Sequence, residues 1–172
     1  VALIEHTRQS IIEMDVDAIV NAANRSLLGG GGVDGVIHRA AGTGLLEECR
    51  TLNGCETGKA KVTAGHNLPA RWIIHTVGPI WRGGSQGEAE ALGACYKAVL
   101  ECAGEIGARS VAIPAISTGA YGFPADAAAR IAVESLAAAT NDDRFERLIL
   151  VSFDRKNSAA VSNALQRLEA AQ

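Results

Sequence analysis

Six short apolar runs alternate with amphipathic helical patterns along this chain, and that alternation leaves few folds open. The runs are Ala2–His6, Ala18–Val20, Ala60–Ala64, Trp72–Val77, Ser110–Ile116 and Leu148–Phe153. Most are rich in Ile, Val or Leu, as strands buried on both faces are. Between them, Leu92, Cys95, Tyr96, Val99, Leu100 and Ala103 recur at helical spacing, as do Ala128, Ile131, Ala132, Leu136 and Ala139. Val161, Ala164, Leu165 and Leu168 form a third stripe, and further helices are expected over Val33–Ala41 and Gly44–Leu52. Each stripe can bury one face against a sheet. The pattern predicts a three-layer α/β domain with a largely parallel sheet.

The length, 172 residues, suits one domain spanning 1–172. With 48% hydrophobic and 20% charged residues, the chain holds enough apolar surface to offset its conformational entropy, which excludes disorder as its main state. No apolar run approaches the roughly 20 residues that cross a bilayer. The opening VALIEHTRQS lacks the basic-then-apolar order of a secretory leader. A net charge of −3 and a pI near 5.8 do not favour a basic groove for duplex DNA. Cys49, Cys55, Cys95 and Cys102 form no C-x-x-C pair and fit no common zinc spacing, so they read as reduced, mostly buried thiols of a cytoplasmic protein.

Two loops carry the functional information. The first, Asn21–Gly35 (NAANRSLLGGGGVDG), leads from an apolar strand into a helix. Its four consecutive glycines, Gly29–Gly32, would be entropically expensive to order without a reason. Glycines before a helix let backbone N–H groups approach an anion, and the helix N-terminus favours negative charge. A phosphate or diphosphate ligand follows. Gly30, Gly32 and Gly35 also spell G-x-G-x-x-G, but no acidic strand end stands about 20 residues on, so a dinucleotide-binding Rossmann unit is disfavoured. Asp34 would be repelled by a phosphate in this loop. That points it at a hydroxyl or a water, which a carboxylate can orient or deprotonate. Capping the helix or complementing its dipole is the structural alternative.

The second loop, Ile113–Pro124 (IPAISTGAYGFP), also follows a strand and enters a helix. Ser117, Thr118 and Gly119 offer hydroxyls and N–H groups to an anion. Tyr121 could stack on a sugar or plug the core, whereas Phe123 reads as a core residue. Both loops would lie at the carboxyl ends of a parallel sheet, where open α/β sheets bind ligands. Two anion loops suggest a diphosphate, neutralised by backbone amides, with Arg25 the only cation in either loop.

The segments DVDAIVNAANRSLLGGGGVDGVIHRAAG, GKAKVTAGHNLPARWIIHTVGPIWRGG, AIPAISTGAYGFP and LILVSFD resemble the macrodomains, specifically the MacroD-type branch, over nearly the whole chain from Asp15. The resemblance implies an α/β/α sandwich with a mixed, largely parallel sheet of about six strands. It implies ADP-ribose as ligand, ADP-ribosylated proteins as partners, and hydrolysis that removes ADP-ribose from proteins and deacetylates O-acetyl-ADP-ribose. It assigns the distal ribose hydroxyls to Asn24 and the water to Asp34. Ligand contacts fall to Ile11, Ala22, Gly31, Gly32, Val33, Gly35, Ser117, Thr118, Gly119, Ala120, Tyr121 and Phe153. Among these, Tyr121 matches the aromatic packed on the distal ribose, and Phe153 the aromatic near adenine. The family usually reads Gly-Asp-Ile-Thr where this chain has Gln9-Ser10-Ile11-Ile12, and the adenine-binding role of that Asp passes to no residue here.

The expected chemistry is hydrolysis of an ester between ADP-ribose and an Asp or Glu side chain, with water held by Asp34 and the substrate's diphosphate. Asn24 would fix the ribose, and loop amides would stabilise transition-state charge. No cofactor or metal is required. A non-catalytic ADP-ribose reader and a hydrolase of ADP-ribosylated nucleic-acid ends are the alternatives; the acid at Asp34 argues against the first and the low pI against the second. A monomer is expected. His38, at i+4 from Asp34, could tune it, although a partly buried helix position explains it equally. His75 reads as a hydrogen-bonded residue of core or crevice. His6 and His66 show no role.

Overall fold

The computed structural model describes residues 1–172. Strands β1 (Leu3–Thr7), β2 (Ala18–Ala22), β3 (Ala60–Ala64), β4 (Trp72–Thr76), β5 (Ser110–Pro114) and β6 (Arg147–Val151) form one sheet in the order β1-β6-β5-β2-β4-β3. All pairings are parallel except β3 with β4, which is antiparallel. The sheet is therefore mixed and largely parallel, as expected.

Alternation along each strand feeds two cores. Ala18 and Val20 of β2, Val111 and Ile113 of β5, and Leu148 and Leu150 of β6 face one side. There they meet α3 (Glu88–Ile106), α4 (Ala125–Ala137) and α5 (Arg155–Ala170). Ile19, Ala112 and Ile149 face the other side, against α1 (Gly32–Ala41) and α2 (Thr43–Arg50). The three-layer sandwich follows. A 3-10 turn at Ile11–Glu13, unforeseen in the sequence, closes the second core with Ile11 and Met14.

Two strands end two residues earlier than the apolar runs suggest, and both endings matter. β5 stops at Pro114, which has no N–H to continue a ladder. β6 stops at Val151, because Asp154 caps α5 by accepting a bond from the Asn157 N–H at 2.8 Å. Phe153 is left between strand and cap with its ring outside the sheet. The Arg82–Gly87 loop is also ordered by a carboxylate. Glu88 accepts N–H bonds from Arg82, Gly84 and Gln86 at 2.6–2.9 Å. Burial opposes its charge, yet those bonds pull its pKa down to about 2. No helix is long and apolar enough to cross a membrane.

Candidate active site

Because β1, β6, β5, β2 and β4 run parallel, their carboxyl ends share one edge of the sheet. The segments leaving that edge are Gln9–Ile11 after β1, Phe153 after β6, both glycine-bearing loops after β5 and β2, and Val77–Trp81 after β4. Both loops singled out in the sequence are thus brought together, β2 and β5 being hydrogen-bonded neighbours.

Asn24 braces the first loop. Its Nδ2 donates to the Gly29 carbonyl at 2.8 Å, and its Oδ1 accepts from the Ser26 N–H and hydroxyl at 3.1 and 2.6 Å. A Cβ on Gly30 would stand 3.1 Å from Asp34 Oδ2 and 3.3 Å from Asn24 Nδ2. The carboxylate and the amide therefore converge on one point above the glycines. Gly35 lets the helix approach its own loop, since a Cβ there would meet the Gly30 carbonyl at 2.5 Å. Gly31 caps α1, and the Gly35 N–H bonds back to its carbonyl at 3.3 Å. The N–H groups of Gly32, Val33 and Asp34 precede that bond and remain available to an anion.

Asp34 is 4% exposed and lies in the first turn of α1, where the helix dipole favours its charge. Its Oδ1 accepts from Asn21 Nδ2 at 2.8 Å. The second Asn21 amide hydrogen reaches His75 Nδ1 at 3.1 Å. That bond places the ring proton on Nε2, which meets Thr63 Oγ1 at 2.9 Å, and the Thr63 hydroxyl donates to the Ala64 carbonyl at 3.1 Å. Every proton in this chain has one acceptor, so the amide is fixed with its N–H groups toward Asp34. Burial, with a smaller contribution from His38, pushes the His75 pKa down to about 3 and keeps the ring neutral. His38 Nε2 lies 3.5 Å from Asp34 Oδ1. Burial raises the Asp34 pKa, while the Asn21 bond and His38 oppose the rise. The result is a held carboxylate with Oδ2 free and greater basicity than an exposed Asp.

The second loop is a donor cradle. Ser117 takes a left-handed conformation with φ 68°, and Gly78 packs against its hydroxyl so closely that a side chain there would collide with it. The loop closes through Gly122 N–H to the Gly119 carbonyl at 3.0 Å and Phe123 N–H to the Ser117 carbonyl at 2.9 Å. The N–H groups of residues 117–121 enter no backbone bond, leaving Ser117, Thr118, Gly119, Ala120 and Tyr121 as potential anion donors. Phe123 is buried, its ring centroid 4.8 Å from that of Trp81. Tyr121 is half-buried, and its carbonyl accepts the Trp81 N–H at 2.8 Å. At the β1–β6 end, Ile11 is buried while Phe153 is 92% exposed, an open aromatic face beside the sheet edge. Ser10 is exposed and its side chain makes no cap bond. Ala22, the last residue of β2, is half-buried.

Comparisons with known proteins identify the family. The Macro domain family matches residues 20–132, two thirds of the chain. The chain belongs to the Macro domain family. A Macro domain-containing protein of Methanosarcina mazei is 54% identical over 159 residues, 92% of this chain and 85% of that protein. Human ADP-ribose glycohydrolase MACROD2 is 56% identical over 149 residues, 85% of this chain but 35% of the human protein. Among solved structures, an Oceanobacillus iheyensis macrodomain with ADP superposes with a TM-score of 0.94 at 37% identity, covering 98% of this chain and 93% of that one. A Trypanosoma brucei macrodomain in complex with ADP-ribose gives 0.88 at 39% identity, covering 94% and 68%.

Sequence reasoning picked out Asp34 and Asn24 in this macrodomain but passed over Asn21 and Thr63, and it gave Gly78 no role. A signal existed for Asn21. It sits on the Ile19 side of an apolar central strand, and a buried amide there must find partners. Its partner His75 lies directly across the β2–β4 register, which no local pattern reveals.

The neutral His75 has a measurable consequence. Its folded pKa lies below its unfolded value of 6.5, so between pH 6.5 and 3 the unfolded state binds more protons. Stability must therefore fall on acidification, by at most about 1.4 kcal/mol per pH unit from this group. Thermal melts from pH 7 to 5 should show the decline, and His75→Gln should remove most of it. His6, lowered by burial in the same direction, carries part of the rest.

Proposed function

We propose that this macrodomain binds ADP-ribose and hydrolyses the ester joining its distal ribose to an Asp or Glu side chain of a protein. The observation that carries the reading is the free Asp34 Oδ2. It converges with the Asn24 amide above the glycine loop and is fixed from behind by Asn21. A site that only binds needs no buried, oriented carboxylate beside an anion loop. The names of the relatives support the same reading: human and mouse MACROD2 and bovine MACROD1 are ADP-ribose glycohydrolases, at 52–56% identity.

The diphosphate lies across the N–H groups of residues 32–34 and 117–121. Phe153 and Ile11 receive the adenine end, and Asn24 and Tyr121 the distal ribose. Asp34 Oδ2 holds a water, which the substrate's own diphosphate also contacts. As the water attacks, its proton passes to Asp34, whose burial-raised pKa suits it to accept one. A new C–O bond forms from the water oxygen, the ester C–O bond breaks, and the acidic side chain leaves as a carboxylate. Loop amides stabilise the developing charge. O-acetyl-ADP-ribose carries the same ester on the same sugar, so its deacetylation follows from the same site. The four free thiols fit a cytoplasmic location, and a monomer suffices because one chain supplies every group named.

The direct test is release of ADP-ribose from a protein mono-ADP-ribosylated on Glu or Asp. Wild type should release it. Asp34→Ala should abolish release while ADP-ribose affinity stays within about tenfold, roughly 1.4 kcal/mol. Loss of binding and turnover together would make Asp34 a binding or structural residue instead.

Adenine recognition gives a second test. Ser10 is neutral and exposed, and a hydrogen bond to a carboxylate is roughly twice as strong as a neutral one. Ser10→Asp should tighten ADP-ribose by about 1 kcal/mol in calorimetry, the low side of the range for bonds to charged groups after desolvation. Unchanged affinity would mean the adenine amino group is held by other groups.

A further inference from the structure

Beside the first glycine loop lies an open groove of about 410 Å³ lined by Arg25, Ser26, Leu28, Cys49, Arg50, Asn53 and Gly54. It shares a wall with the active site. Ser26 both bonds Asn24 through its hydroxyl and lines the groove. The groove is built, since the Cys55 N–H donates to the Arg25 carbonyl at 2.9 Å. Gly54 approaches that carbonyl so closely that a Cβ would stand 2.7 Å from it. The turn after α2 is thereby fastened to the catalytic loop. Cys49 forms the floor near Asp34. Burial, then the charges of Glu48 and Asp34, push its thiol up to about 11, so it is no nucleophile.

The protein carries a net −3, yet this groove holds two exposed arginines and no carboxylate. Neither Arg25 nor Arg50 forms an ion pair, so both guanidinium groups are free to meet a carboxylate. Leu28, 48% exposed, adds an apolar contact at the rim toward the glycines. No aromatic side chain lines the groove, so it offers unstacked bases no platform, and single-stranded nucleic acid is disfavoured.

We infer that the groove receives the polypeptide flanking the modified residue, and that Arg25 and Arg50 select acidic flanks. The inference rests on the hydrolase reading above: a side chain esterified to the distal ribose leaves the site past Asn24 and Ser26, and its neighbours in sequence then lie over the groove. Guanidinium groups bind carboxylates through paired donors. Two unpaired arginines beside the exit therefore favour Glu- and Asp-rich sequence over neutral or basic sequence. Free ADP-ribose and O-acetyl-ADP-ribose have no flanks and do not reach the groove.

The test uses the full chain and two peptides, mono-ADP-ribosylated on a central Glu, with either acidic or neutral flanks. Their affinities are measured in the Asp34→Ala background, so that the ester survives, and kcat/KM is measured with Asp34 intact. Arg50→Glu should weaken the acidic-flank peptide about fivefold, in line with the strength of exposed charge pairs, and adding Arg25→Glu should weaken it further. The neutral-flank peptide, ADP-ribose binding and O-acetyl-ADP-ribose turnover should be unchanged. Equal losses on all ligands, no loss on any, or stronger competition by an oligonucleotide ADP-ribosylated at its terminal phosphate would overturn the inference. Binding without turnover of any ester would sink the hydrolase reading alone, because the affinity comparison still decides the groove. Failure to bind ADP-ribose would sink both.

Discussion

Asp34 carries its carboxylate into a place where water barely reaches it, and an ionised group there must be held or it will neutralise. Asn21 does the holding, and it can because its own amide is fixed from behind by His75 and Thr63. A bond to a charged group contributes about 1.5–3 kcal/mol, and losing one partner of a buried chain strands the others. The consequence reaches outward. With Oδ1 committed to Asn21, Oδ2 is the oxygen that faces the glycine loop, and Gly30 and Gly35 must lack side chains for loop and helix to close around it.

The sheet makes the arrangement possible. Asn21 and His75 lie side by side because β2 and β4 are parallel and in register, although they are more than fifty residues apart in sequence. The same parallel order carries the second loop to the first and sets an aromatic face, Phe153, at the far end of the row. An elongated ligand with a diphosphate in its middle and a sugar at Asp34 matches that row of sites in order. The two anion loops are made of backbone rather than lysine, so their donors come with the fold and are little altered by surface charge.

Much of this was legible in the sequence, for definite reasons. The apolar runs and helical stripes were strong because every strand of the sheet's centre is covered on both faces. The glycine run and Asp34 were legible because both are locally expensive. Phe123 reads as core and is buried, while the position of Tyr121 suits either a sugar or the core, and it is half-buried. Asn24 stood out through its motif, and its two-sided bracing of the loop appears only in three dimensions. What stayed hidden depends on register and close packing. Asn21 became meaningful only beside His75, Gly78 only against Ser117, and the shared groove of Arg25 and Arg50 only once the turn after α2 folded onto the first glycine loop.

The central claim is that the Asn21 bond favours the ionised form of Asp34 against its burial and so keeps it able to hold and deprotonate water. The most direct measurement is the pH dependence of kcat/KM for ester hydrolysis in wild type and Asn21→Ala. In the proposed mechanism Asp34 must be ionised, so activity should fall on the acid side as the group protonates. Removing the Asn21 bond removes an interaction that lowers the Asp34 pKa. The account therefore predicts that the acid limb moves to higher pH in Asn21→Ala, with kcat reduced more than KM is raised. An acid limb that stays in place in a folded Asn21→Ala protein would contradict it.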